Sequence, residues 1–297
     1  MVDQPRQSQR YQAKVRDDEP ALVTDILKLV REFPRYGYRM ICSKLRQLGW
    51  KINPKRVYRL WRQEGLKVPV KKRKNRRLGN SGNSIQRRLA QHINHVWNWD
   101  FIFDRTASGK QLKWLTIIDE FTRENLCLDV GFGFKSEEVI DRLAALAIER
   151  GLPKFVRSDN GPEFIAVALR EWLTNLEVET LYIEPGSPWE NAFAESFNSR
   201  FRDEFLGLEV FENLKAAKRL TSAWRANYND HRPHSSLGYQ TPTEFARGLP
   251  PRSLRSLTGK PPERSNIKKQ TLTNPYSHNH WYRKWGHASS NCFSRNL

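Results

Sequence analysis

Apolar residues recur along this chain at two periods, and the change from one to the other divides it. From Pro20 to Phe33, Leu22, Ile26, Leu29 and Val30 return every three or four positions, which predicts an amphipathic helix. Tyr38 to Leu48 predicts a second helix, with Ile41, Leu45 and Leu48 on one face and Gly49 closing it. A third follows in INPKRVYRLWRQEG. Asn53 suits its N-cap, Pro54 its first helical position, and Val57, Leu60 and Trp61 its apolar stripe. Lys55, Arg56, Arg59 and Arg62 fall largely on the opposite face.

Further on, alternation takes over. HVWNWDFIFD, His95 to Asp104, is rich in aromatic and β-branched residues and reads as a strand. Period two puts Trp97, Trp99, Phe101 and Phe103 on one face and Asn98, Asp100, Ile102 and Asp104 on the other. LKWLTIIDEF and ENLCLDVGF add two strands, joined by a short turn near Thr122 to Glu124. SEEVIDRLAALAIERG predicts a helix with Ser136 as N-cap, Glu137 and Glu138 in the first turn, and Gly151 at the end. KFVRS, EFIAVALREWLTN, VETLYI and WENAFAESFNSRFRDEF continue as strand, helix, strand and long helix. The order β-β-β-α-β-α-β-α predicts an α/β fold with a mixed sheet. In the last helix Trp189, Phe193, Phe197, Phe201 and Phe205 return every four residues as a buried stripe. Glu195 lies about 200° around from Phe193, on a polar face shared with Asn191, Asn198, Ser199 and Arg202.

Charge sharpens the division. The 297 residues carry a formal net charge of +19, distributed unevenly. Residues 1–90 hold 24 Lys/Arg against 7 Asp/Glu, residues 91–240 hold 17 against 23, and residues 241–297 hold 10 against 2. Basic flanks around a mildly acidic centre point to a polyanion held by one part of the chain and acted on by another. Three short helices, the last with a cationic outer face, fit the helix-turn-helix plan for double-stranded DNA; a solvated helical bundle is the plainer alternative. KKRKNRR follows, with Lys71, Lys72, Arg73, Lys74, Arg76 and Arg77, and then the turn-rich LGNSGNS. It reads as a flexible linker whose charges track phosphate, with a localisation signal as its competitor. No apolar run approaches the ~20 residues of a spanning helix. MVDQPRQSQRYQ lacks the apolar stretch of a signal peptide. No membrane and a cytoplasmic location are therefore expected. Cys42, Cys127 and Cys292 are far apart and odd in number, which suggests neither a disulfide framework nor a CxxC zinc site.

Three carboxylates stand out. Asp100, on a central strand, is costly if buried unpaired, so something positive should meet it. Asp159, in VRSDNGPEF, sits where the fourth strand ends; an Asx turn or a helix N-cap is its plain role. Glu195 read alone is a solvated helix residue. A strand, a strand end and a polar helix face could bring the three together. His231 and His234, in YNDHRPHSSLGYQTPTEF, lack two further well-spaced ligands and read as structural. His278, His280, His287 and Cys292 sit in an Asn/Ser/Lys-rich tail that reads as disordered.

WNWDFIFD, SDNGPEF with EPGSPWENAFAESFNSRFRDE, and YNDHRPHSSLGYQTPTEF together resemble the integrase-type transposases of bacterial insertion sequences. The similarity is to the group whose catalytic subunit comes from the second of two overlapping frames, and whose core is similar to retroviral integrase. It covers roughly residues 20 to 248. The resemblance implies a ribonuclease H-like mixed sheet with flanking helices, preceded by a small all-α helix-turn-helix domain. The layout expected is an arm at 1–19, the helix-turn-helix at 20–68, a basic linker at 69–92, the integrase core at 93–248 and a basic tail at 249–297.

The resemblance also implies an Asp-Asp-Glu site with thirty-five residues between the last two. That spacing falls on Asp100, Asp159 and Glu195, as catalytic residues and as ligands of Mg²⁺, with Mn²⁺ a substitute and two ions expected. Asp104 and Asp119 are the competing acids. The implied activity is metal-dependent DNA strand cleavage and strand transfer at the ends of the element. Arg200 and Arg202 would hold the DNA end, and Ala192 stands where some relatives carry Gly. Implied partners are element ends and target DNA, further copies of the chain, at least as a dimer on DNA, and an upstream-frame product fused to it. The implied location is the bacterial cytoplasm, at the nucleoid. Three competing functions remain: a catalytically inactive DNA-binding remnant, a plain nuclease, and a retroviral-type integrase. The last is disfavoured by the lack of an N-terminal His/Cys zinc pattern.

Overall fold

The two periodicities become two compact units in a computed structural model that describes residues 16–68, 89–158, 167–182 and 191–248. The first unit holds α1 (Glu19–Glu32), α2 (Tyr38–Gln47) and α3 (Pro54–Gln63). Leu22, Ile26, Ile41, Leu45, Val57 and Leu60 close its core. Asn53 caps α3 by accepting from the Lys55 N–H at 2.9 Å, and Pro54 opens the helix.

Leu48, expected on the apolar face of α2, is instead 52% exposed. The helix stops at Gln47, and Gly49, at φ +95°, turns the chain. The Trp50 N–H returns to the Leu45 carbonyl (3.0 Å) and the Gly49 N–H to Arg46 (3.1 Å), a Schellman ending that packs Trp50 on the core in place of Leu48.

The second unit is built on a five-stranded sheet of order β3-β2-β1-β4-β5. Its strands are β1 (Val96–Arg105), β2 (Gln111–Asp119), β3 (Asn125–Gly131), β4 (Phe155–Ser158) and β5 (Glu179–Tyr182). The first three pair antiparallel, while β4 runs parallel to β1, and β5 to β4. The crossovers carry α4 (Ser136–Arg150) and α5 (Val167–Asn175). This mixed sheet with helices on both faces is a ribonuclease H-like core. The helix after β3 begins one residue earlier than expected. Lys135, not Ser136, is the N-cap, and Glu138 accepts its N–H at 2.8 Å. The extended Lys135 backbone leaves that N–H outside the helical ladder, where a carboxylate is its natural partner.

Period-two alternation sorts the sheet's faces as expected. Trp97, Trp99, Leu115 and Ile117 pack under α4 and α5, with Val139, Leu143, Leu169 and Leu173. Ile102, Leu112, Trp114 and Ile118 face α6 (Ala192–Phe201) and α7 (Leu214–Asp230). An apolar stripe at period four drifts by about 40° per step on an α-helix. The chain continues from α6 through a π-helical turn, Arg202–Leu206, whose wider winding returns Phe205 to the core beside Phe197 and Phe201. Trp189, the first residue of the expected stripe, lies outside the described residues.

The α7 helix is not among the elements expected from sequence. It fills one side of the core with Trp224 and Tyr228, and Thr221 accepts the buried Trp114 indole N–H at 2.9 Å. Asn229 exchanges two hydrogen bonds with the Asn125 backbone at 2.9 Å each. Arg225 donates to the Asn125 carbonyl at 3.0 Å and to that of Leu126. These contacts cover the start of edge strand β3, whose unpaired backbone would otherwise invite another strand. Among the described residues no helix is long and apolar enough to cross a membrane.

A closing segment, with a 3₁₀ turn at Ser235–Leu237 and α8 (Pro242–Ala246), contains His234. The imidazole is buried edge-on against Tyr228, with ring centroids 4.8 Å apart. Burial holds its pKa well below 6.5, and the positive charges of Arg232, Arg200 and Arg123 push the same way. Arg232 is itself paired with Glu204, at 2.6 Å from Nε. The unfolded chain therefore takes up a proton near pH 6.5 that the fold excludes. This contribution to stability is whole above about pH 6.5 and is lost on acidification, by at most about 1.4 kcal/mol per pH unit. Melting temperatures measured between about pH 7.5 and 5 should fall with acidification. The slope should be shallower in His234→Gln, whatever that variant's absolute stability.

Candidate active site

Asp100 lies midway along β1, half-buried, on the face that α6 covers. Its two carboxylate oxygens are held differently. Oδ1 accepts the Phe101 N–H at 2.7 Å, and Oδ2 accepts the Asn198 side-chain amide at 2.5 Å. Asn198 lies on α6 three residues after Glu195, on the neighbouring turn of one face. Glu195 itself is exposed.

The polar face of α6, read from sequence as a surface with no need to pack, was expected to be able to converge with Asp100. It faces the polar side of β1: Asn98 donates to Asn191 at 2.9 Å, and Asn198 donates to Asp100. The reason is the alternation of β1, which aims Asn98 and Asp100 at the helix rather than at the tryptophan layer. Phe193, at the margin, is half-buried with the Arg123 guanidinium 3.6 Å above its ring.

Asp159 lies outside the described residues, as do Lys71, Lys72, Arg73, Lys74, Arg76 and Arg77 and the tail residues His278, His280, His287 and Cys292. Among the described residues no group of three His, Cys, Asp or Glu side chains could hold a metal ion. Of the two competing acids, Asp119 is fully buried and its carboxylate is occupied by backbone. It accepts N–H groups from Asn94 (2.8 Å), Phe121 (2.7 Å) and Thr122 (3.2 Å), which makes it the brace of the β2–β3 turn. Asp104 sits two pleat repeats beyond Asp100 on the same face and accepts the Arg105 N–H at 2.8 Å.

The cations expected to meet DNA divide into two groups. Lys55 and Arg62 are exposed on α3. Arg56 instead reaches Asp18 (2.5 Å) and Glu19 (3.6 Å), and Arg59 reaches Glu19 (2.6 Å), so the two tie α3 to the start of α1. The carboxylates stand 37 to 40 positions upstream, where helical spacing along α3 gives no hint of them. Arg200 is half-buried and donates to the Ser196 carbonyl at 2.9 Å and to the Ser196 hydroxyl. Burial, and then Arg232, lower its pKa. Arg202 is exposed beside β1, 3.4 Å from the Phe103 carbonyl.

Sequence reading missed a cluster behind Asp100, formed by Asn98, Glu120, Arg157 and Asn191, all buried. One signal was available. Arg157 is the only charge in the four-residue strand FVRS, which is buried throughout.

Family models for an integrase core domain match residues 90–188 and 176–242, and one for an HTH-like domain matches residues 16–74. The chain is 38% identical over 246 residues to a 31.7 kDa protein of insertion element IS407 from Burkholderia multivorans, spanning 83% of this chain and 88% of that one. It is 29% identical over 249 residues to transposase InsD of insertion element IS2 from Escherichia coli, spanning 77% and 79%. Among solved structures, the HTLV-2 integrase catalytic core in complex with magnesium aligns with 52% of this chain and 97% of its own, at a TM-score of 0.43 and 16% identity.

The Asp100–Asn198 contact makes a specific prediction. Asn198→Asp replaces a donor with a second carboxylate against Asp100, which loses a charge-assisted hydrogen bond worth about 1.5–3 kcal/mol. Like charge raises a carboxyl pKa in the fold, so the loss should be largest near neutrality and should shrink as pH falls toward about 4. Thermal melts of the two proteins across that range should converge at the acid end.

Proposed function

We propose that this chain, which belongs to the integrase-core transposases of bacterial insertion elements, carries out its chemistry with Asp100, Asp159 and Glu195. It is a polynucleotidyl transferase that cleaves DNA strands and transfers them. The residue assignment is supported chiefly by the seating of α6 on β1, in which the residue one turn from Glu195 bonds Asp100 at 2.5 Å. Asp159 directly follows Ser158, the last residue of the strand that neighbours β1, and on this reading it completes the set.

The donor set fits a hard divalent cation. Three carboxylates with no thiol or imidazole suit Mg²⁺, with Mn²⁺ as a substitute. The Asp100 oxygens accept the Phe101 N–H and the Asn198 amide, the kind of hydrogen bonding that orients a ligating carboxylate. Two such ions, when bound between Asp100, Asp159 and Glu195, would activate the attacking oxygen and stabilise the departing one. The chain's own residues supply position. Asn198 and the Phe101 N–H fix the orientation of the Asp100 carboxylate, and Arg202 offers an exposed guanidinium to phosphate. Water attacking phosphorus in line exchanges one P–O bond for another and leaves a 3′-hydroxyl. That hydroxyl, attacking a second phosphodiester, displaces one of its bridging oxygens as a new hydroxyl end and so joins the strands, again one P–O bond for another.

The proposed layout assigns residues 20–68 to DNA reading, 69–92 to a linker, 93–248 to catalysis and 249–297 to a basic tail. Lys55 and Arg62 are the contacts proposed on α3, with Lys71, Lys72, Arg73, Lys74, Arg76 and Arg77 along the backbone beyond it. Arg56, Arg59 and Arg200 support these surfaces through their carboxylate and serine partners. Synapsis of two ends calls for more than one copy of the chain, fused to an upstream-frame product and acting at the nucleoid.

The test is incubation of the chain, alone and fused to that product, with DNA carrying the element's ends, in Mg²⁺, Mn²⁺ or EDTA. Nicked and joined products are expected with either metal, none with EDTA, and at least a hundredfold loss in Glu195→Gln. Salt-sensitive binding with no cleavage under any condition would instead identify the DNA-binding remnant. In binding titrations, Lys55→Gln and Arg62→Gln should each lower the slope of log affinity against log salt by about 1. Arg56→Gln should chiefly lower the melting temperature.

A further inference from the structure

The cluster behind Asp100 links three elements through one carboxylate and one side-chain amide. Asn98 Nδ2 donates to Glu120 Oε1 at 3.1 Å and to Asn191 Oδ1 at 2.9 Å. Both acceptors are oxygens, which fixes the orientation of the Asn98 amide. Arg157 Nε lies 3.3 Å from the same Glu120 oxygen. Asn98 and Arg157 are register partners on the parallel pair β1 and β4, so the strand pairing itself brings them side by side. Exposure is 0% for Asn98, 1% for Glu120, 3% for Arg157 and 9% for Asn191.

The positions of these residues in the chain are informative. Asn98 stands two residues before Asp100, on the same face of β1. Arg157 stands two residues before Asp159. Asn191 caps α6 four residues before Glu195. Glu120, just past the end of β2, joins Asn98 to Arg157 and is held in place by its own N–H to the Val96 carbonyl at 3.0 Å.

We infer that Glu120, Asn98, Arg157 and Asn191 form a positioning clamp that sets the relative placement of the three elements bearing Asp100, Asp159 and Glu195. Stability is a poor reason for such a cluster. A buried ion pair repays its desolvation only in good geometry, and well-packed apolar replacements are commonly as stable or more so. Geometry is a better reason. Displacing a catalytic group by about 1 Å costs on the order of a hundredfold in rate, and an apolar contact, being non-directional, does not fix a helix to that tolerance. Directional bonds from Asn98 to Glu120 and to Asn191, joined to β4 by the Glu120–Arg157 ion pair, do.

This inference rests on the proposed triad, and its test separates the two. The full-length proteins compared are wild type, Glu195→Gln, Glu120→Gln, and the pair Glu120→Leu with Arg157→Met. The readings are melting temperature, DNA-end affinity, strand-transfer rate, and Mn²⁺ binding by the DNA-free protein from the paramagnetic resonance signal of free Mn²⁺. The apolar pair should melt within a few degrees of wild type and bind DNA ends equally. It should transfer strands roughly 10- to 100-fold more slowly and bind Mn²⁺ about tenfold more weakly. Should the pair fail to fold, Glu120→Gln, which removes only the charge, should show the same split to a smaller degree. Wild-type rate and Mn²⁺ binding in the folded variants would overturn the clamp while leaving the triad standing. Rate losses that merely follow the melting temperature and vanish on cooling would also overturn it. If wild type and Glu195→Gln react alike, it is the triad that fails.

Discussion

The seating of α6 on β1 is the contact on which the rest of this core depends, because it satisfies two demands that usually conflict. One side of the helix must bury Phe197 and Phe201, and the π-helical turn after it Phe205, against Trp114, Phe211 and Trp224. Each such ring contributes roughly 1.5–3 kcal/mol by leaving water. Adjacent positions must meet Asn98 and Asp100 with hydrogen bonds, since a buried polar group left unpaired would cost on a similar scale. Apolar packing supplies most of the attraction but tolerates sliding. The Asn98–Asn191 and Asp100–Asn198 pairs exclude it, since a shift of one residue rotates the helix by about 100° and breaks both.

That division explains the contrast between the two sides of the sheet. Under α4 and α5 the packing is apolar, with Trp97, Trp99, Leu115 and Ile117 against leucine and valine. On the α6 side Asn98 and Asp100 make the middle of β1 polar, and the apolar layer shared with the aromatic residues begins at Ile102. The aromatic residues there meet largely in edge and tilted geometries, as Phe197 with Tyr228 and Phe201 with Trp224, which adds some attraction beyond area. A dense aromatic half thus offsets the polar half, where Glu120 and Arg157 are buried at a cost.

Much of this was legible in the sequence because it rests on local period. The strand and helix order, the two faces of β1, the phenylalanine stripe and the Asn53-Pro54 start of α3 all follow from neighbours within a few residues. The features that were not legible depend on distant partners. Arg56 and Arg59 read as part of a cationic face offered to DNA because nothing local reveals Asp18 and Glu19. Arg157 in FVRS has no local feature that names its partner, and only the order β2-β1-β4 carries it to Glu120. The α7 helix escaped because its buried side includes Ala217 and Thr221, too small or too polar to stand out as a stripe. Asp100 and Glu195 could be singled out from the ordered set of motifs, while their bridge through Asn198 needed the packed helix.

Charge gives the architecture its logic. The central segment holds more acids than bases, 23 against 17, and phosphate is repelled by such a surface at short range. Arg200 and Arg232 do little to reverse this at the surface, since one is turned toward Ser196 and the other is paired with Glu204. Affinity for a polyanion must then come from elsewhere, and the first ninety residues, with 24 bases against 7 acids, are suited to supply it by displacing counterions. An acidic centre that cannot bind DNA well by itself has a compensating property. On the proposed mechanism its carboxylates would attract hard cations, and a phosphodiester would be welcome there only when such cations accompany it. Separating the charge that binds from the charge that reacts makes strand chemistry conditional on both. A chain with one uniform surface potential would have to compromise between holding DNA and holding the ions proposed to act on it.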